Sequence, residues 1–301
     1  MPSVGAMTAA TTTTTPGTGV PFPRTGTALA VTGAVVAAAA LATVLAAAPD
    51  GLRASADPGA PTVPYLVVLG PTVLALALTW ALPRRAPVLA PRVADRRRVL
   101  LAVMLLLACA AAFPLVVAAT GVAASADYHL VKIVLLVAVP GGVVLATRGL
   151  RTGWPRAAWR WWAPLVVVGV WTAVARAAPW VQEPDYGEVP VDLLVTAAVA
   201  TAVTAGVGEE LFFRVWLQTR LEALLGRWGG ITVATLAFAL MHVGSRQHGG
   251  ALVEVSGAIV VQGLGFGLVA ACLWSRYRNA WLVVLLHVLA NGFGIAVLLL
   301  G

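Results

Sequence analysis

Long apolar runs, nearly free of charge, alternate along this chain with short segments that hold most of its arginine. Runs that could span a membrane lie near Thr27–Ala48, Val63–Leu82, Val99–Ala119, Leu130–Thr147, Trp161–Ala177, Val191–Gly208, Gly229–Val243, Leu252–Trp274 and Ala280–Leu300. Most approach the roughly 20 residues that a helix needs to cross the hydrocarbon core of a bilayer. The pattern predicts an all-α, polytopic transmembrane helix bundle of about nine spans, or eight if the first is removed. Ala46-Ala47-Ala48 offers small residues for signal-peptide cleavage. The run before it exceeds the roughly 7–15 apolar residues of a signal peptide, which favours an uncleaved first span. Two runs are irregular: 130–147 is interrupted by Pro140-Gly141-Gly142, and 229–243 is short.

Composition supports a bundle in lipid. Of 301 residues, 60% are hydrophobic and 11% are charged, against about 25% charged in soluble domains. The net charge of +8 would suit nucleic acid, but the arginines gather in short loops between spans, which is a topology signal. The loops at 83–98, 148–160, 214–227 and 276–278 are basic, and the alternate loops are acidic or mixed. The Lys/Arg bias puts the basic group and the N-terminus in the cytoplasm and the C-terminus outside. Trp154, Trp159, Trp161, Trp162, Trp180, Trp228 and Trp281 lie near span ends, as an interfacial belt would. Cys109 and Cys272 both fall inside apolar runs, with no spacing that implies a disulfide framework or a metal knuckle. The first 24 residues, rich in Thr, Ala, Pro and Gly, read as a disordered tail.

The candidate chemistry is concentrated after residue 191. Glu209 and Glu210 follow the apolar run Val191–Val207, and ionisable groups at such depth are costly enough to mark function. On an ideal helix the two point about 100° apart, whereas Glu210 and Arg214 share a face. Glu209 is then the unpaired carboxylate and needs a polar partner from another helix. His242 follows Phe238 on one face, and His287 and Asn291 share a face of the last span. His129 and His248 fall in outer loops. At 1.5 Å per residue, Glu209, His242, His287 and Asn291 can meet in the cytoplasmic half of the bilayer. Bland readings stand beside this one: a solvated helix end for the glutamates, and interhelical hydrogen-bonding glue for the histidines and Asn291. Gly263-Leu-Gly265-Phe-Gly267 contains a G-x-x-x-G, whose expected role is close helix contact within the subunit.

E-E-x-x-x-R at Glu209, Glu210 and Arg214, F-x-x-x-H at Phe238 and His242, and H-x-x-x-N at His287 and Asn291 resemble, in order, the three motifs of the CPBP family. These are the type II CAAX prenyl endopeptidases and the bacterial Abi proteins of bacteriocin processing and immunity. The resemblance covers roughly the last third of the chain, so that 25–190 reads as a variable transmembrane half and 191–301 as the catalytic helix core.

The resemblance implies an intramembrane endopeptidase of the bacterial plasma membrane that hydrolyses a peptide bond of a membrane-associated protein or peptide. Glu209 would be the general base on water with His242 as its partner. His287 and Asn291 would orient the water or stabilise the oxyanion, and Glu210, Arg214 and Phe238 would support the site. The family is often labelled metalloprotease. Glu209, His242 and His287 match the ligand count of a catalytic Zn2+, but H-E-x-x-H is absent, so glutamate- and metal-dependent mechanisms both stand. A non-catalytic immunity or scaffold member of the same family is the main alternative. A transporter is disfavoured by the lack of internal repeats.

Overall fold

The computed structural model describes residues 20–53, 61–83, 91–152, 162–182, 189–244 and 250–300. Residues 1–19 of the tail expected at 1–24, part of the basic loops, Trp154, Trp159, Trp161, Arg246 and His248 lie outside them, while Pro23 and Arg24 of that tail already open a helix. The architecture is helical, as the apolar pattern requires. Six helices are long and apolar enough to cross a membrane: α1 (Pro23–Ala47), α3 (Arg96–Thr120), α4 (Asp127–Thr147), α6 (Val191–Leu225), α8 (Ala251–Tyr277) and α9 (Ala280–Leu300). Three shorter apolar helices complete the set: α2 (Tyr65–Ala81), α5 (Trp162–Ala177) and α7 (Arg227–Met241). The chain is an integral membrane protein, with a helix at each of the expected runs.

The basic segments come together on one face of the bundle. Arg92 and Val93 pair antiparallel with Arg151 and Leu150, tying the entry of α3 to the exit of α4. The Phe22 amide donates to the Leu224 carbonyl at 2.9 Å, and Arg96 lies 5.4 Å from the Phe22 ring. Arg276 donates to the Leu82 carbonyl at 2.8 Å, and Arg278 pairs with Glu222. The ends of α2, α4, α6 and α8 and the starts of α1 and α3 therefore share a face. Trp180, Trp228 and Trp281 are exposed near helix ends, where an interfacial belt needs them.

Close packing in the C-terminal part rests on glycine. A side chain at Gly206 of α6 would meet Val288 of α9 at 2.6 Å. At Gly263 and Gly267 of α8 it would meet Ala239 and Phe238 of α7 at 3.2 Å and 3.1 Å. The G-x-x-x-G thus works within the subunit, letting α7 and α8 touch almost backbone to backbone, as small residues do in membrane bundles.

One feature departs from ideal spacing. Parts of α6 (Ala202–Glu209 and Leu211–Gln218), α8 (Ile259–Gly267), α4 (Val134–Ala138) and α5 (Ala173–Ala177) wind as wider π-turns. Such turns recur at functional sites. The first of the two in α6 ends on Glu209, and the second begins just after Glu210.

Candidate hydrolytic site

Glu209 and Glu210 sit mid-helix in α6. At 1.5 Å per residue they lie roughly 24 Å from its Leu225 end and roughly 27 Å from Val191. Both are fully buried, so they are not a solvated helix end. They aim at different partners, as adjacent helical positions must. Glu209 Oε1 lies 2.6 Å from the ammonium of Lys132 on α4. Its Oε2 lies 3.7 Å from Nε2 of His242. Glu210 accepts from Arg214 Nε at 3.1 Å one turn along and from His287 Nδ1 at 2.7 Å across to α9.

His242 caps the C-terminal end of α7. Its Nδ1 lies 2.8 Å from the Phe238 carbonyl. A carbonyl only accepts, so Nδ1 carries the proton and Nε2 is the atom turned to Glu209. The 3.7 Å separation is longer than a hydrogen bond. The Phe238 ring fills the space between the two histidines, 4.7 Å from His242 and 6.1 Å from His287 by ring centre. It also meets Phe213 at 5.3 Å, and the Arg214 guanidinium stacks 5.0 Å from its centre. Phe266 of α8 closes the other side of His287 at 4.7 Å. An apolar, aromatic wall of this kind keeps the charged groups in low dielectric, where each interaction is stronger and each unpaired charge more costly.

The structure therefore brings together Glu209, Glu210, Arg214, Phe238, His242 and His287. Asn291 lies one turn beyond His287 on α9 and is exposed; it enters none of the described hydrogen bonds. Glu209 does find its partners on other helices, but the nearer one is Lys132, a residue that motif reading passes over. Lys132 lies in the apolar run broken by the Pro-Gly-Gly, and it is the chain's only lysine beside 19 arginines. A lone lysine at that position is a signal in its own right, since a charge placed there must find a partner. His129 also differs from expectation. It belongs to the first turn of α4, not to a loop, and its Nδ1 bonds to Thr204 Oγ1 of α6 at 2.9 Å.

The donor set bears on the metal reading. Zinc would require Glu209, His242 and His287 on one ion. Glu209 gives Oε1 to an ammonium, and His287 gives Nδ1 to Glu210. Among the described residues, no three His, Cys, Asp or Glu side chains gather as a ligand set. As placed, these residues do not fit a zinc site.

A helix bundle with a carboxylate and an imidazole facing each other in its buried interior defines a membrane-embedded protein with acid–base groups. Comparison with known families is more specific: the model described as "Type II CAAX prenyl endopeptidase Rce1-like" matches residues 191–293, the segment that carries all three motifs. That match supports the resemblance of the C-terminal helices to the CPBP family. No curated protein and no solved structure matches it.

Proposed function

We propose that the protein is an intramembrane endopeptidase that cleaves a membrane-associated protein or peptide by water attack. The observation that carries the reading is the placement of Glu209 Oε2 against His242 Nε2, 3.7 Å apart, inside a segment of type II CAAX prenyl endopeptidase character. One water can bond to both atoms across such a gap. As it attacks the scissile carbonyl carbon, its proton passes to Glu209. The carbon–nitrogen bond then breaks, and the amine leaves with a proton returned from the Glu209–His242 pair. This is general acid–base catalysis, with proton donor and acceptor within reach of one water. His287, held through Nδ1 by Glu210, accepts from the attacking water at its other ring nitrogen and orients it, and Asn291 donates its amide to the oxyanion. In this reading the basic face is cytoplasmic.

The test uses a farnesylated CAAX-type peptide as probe. With inside-out membrane vesicles, whose outer surface is the cytoplasmic one, mass spectrometry is expected to find the cut product. With right-side-out vesicles it is not. Glu209→Gln should lower the rate by about 10²–10⁴-fold, the usual worth of a general base. Equal cleavage by the variant and the wild type would sink the reading.

A second reading has one observation in its favour. The Lys132–Glu209 ion pair spends half of the carboxylate on a helix contact, as a non-catalytic scaffold or immunity protein would. Full partner binding or protection by the Glu209→Gln variant would favour it.

A further inference from the structure

The family match begins at residue 191, yet the nearest partner of Glu209 comes from α4. We infer that Lys132 is a positioning residue of the hydrolytic site, so that the N-terminal helices complete the site that the C-terminal ones begin. The inference rests on the hydrolytic reading above.

Lys132 is 5% exposed although it carries a charge. Its Nζ lies 2.6 Å from Glu209 Oε1 and stands over the rings of Tyr128 and Phe113, 4.9 Å and 5.9 Å from their centres. Cation–π contacts of this sort hold an ammonium where water cannot. The hydrogen bond from His129 to Thr204 fixes the same turn of α4 against α6. The ammonium is therefore held from three sides and meets one carboxylate oxygen. A free carboxylate can swing both oxygens among its neighbours. With Oε1 pinned, Oε2 is left toward His242, and the pair keeps one geometry. The choice of residue matters. Lysine is a compact point charge, whereas arginine's planar fork grips both oxygens of a carboxylate at once. In a chain whose other cations are all arginine, the one lysine falls where a one-oxygen contact leaves Oε2 open.

Because the chain has a single lysine, labelling with ¹⁵Nζ-lysine on a lysine-free tag gives a single side-chain resonance. That resonance is expected to shift in the Glu209→Gln variant. An unmoved resonance would overturn the contact, whatever the activity. Kinetics on the farnesylated peptide test the role. Lys132→Arg keeps the charge and is expected to melt like the wild type, but with kcat down about a hundredfold, the cost of a misplaced reacting group, and KM little changed. Wild-type kcat in Lys132→Arg overturns the positioning role, because a merely structural cation would be replaced without loss. If Lys132→Arg fails to fold, Lys132→Gln, which keeps an N–H donor for Glu209, replaces it: wild-type turnover in that variant overturns the role too. The two readings fail separately. Equal cleavage by Glu209→Gln and the wild type removes the hydrolytic reading, whereas an inactive Glu209→Gln beside a fully active Lys132→Arg removes only the role of Lys132.

Discussion

At the scale of single residues, the site is a set of buried charges that survive only in company. Glu210 is shared by Arg214 and His287, and all three are buried. Removing one partner of a buried pair leaves an uncompensated charge. Arg214→Met is therefore expected to destabilise the protein by about 3–5 kcal/mol, read as an unfolding midpoint in detergent. The same substitution together with Glu210→Gln should recover most of that loss, because no lone charge remains. The sequence makes this pair legible, since four-residue spacing on a helix is enough to foresee it. Spacing cannot foresee Lys132, whose partner lies 77 positions away on another helix; only the cost of a charge in an apolar run points to it. Asn291 shows the converse. Its spacing from His287 puts both on one helix face, but spacing does not say how much of that face the bundle covers.

At the scale of elements, glycine decides which helices can meet. A side chain at Gly206 would strike Val288, the residue next to His287. Gly206→Leu should thus push α9 off α6 and lengthen the His287–Glu210 bond. The expected cost is about 1–3 kcal/mol, as for overpacking a core, with peptide cleavage falling alongside. The control is Gly169→Leu on α5, where no neighbouring atom lies within 4 Å; there replacing glycine in a helix interior should be neutral or stabilising. Both outcomes can be read from melting curves. The runs of apolar residues foretell every helix that carries the site, including the irregular run at 130–147, where Pro140 lies at the start of the stretch Val139–Thr147 that follows a π-turn. Winding is less legible. Arguments from a 3.6-residue period assume a uniform helix, and the π-turns around Glu209 break that assumption without a Pro to announce them.

At the scale of the whole molecule, the site belongs to no single segment. Glu209 and Glu210 come from α6, His242 from α7, His287 from α9, Lys132 from α4, and Phe266 of α8 closes the wall. The division at residue 190 follows the motifs, but the side chains cross it. The basic segments, expected on one side from loop charge alone, do share a face, because short strand pairs and arginine–carbonyl bonds tie their ends together. The central claim is that Glu209 and His242, on separate helices, act on one water as a unit. Its most direct test is the turnover of Glu209→Gln, His242→Ala and the double variant on the same peptide. Groups that act as a unit lose their effect once, so the double variant should be about as slow as the slower single one. Losses that multiply, with the double variant slower by the product of the two, would mean that the two side chains work independently and that the shared water does not exist.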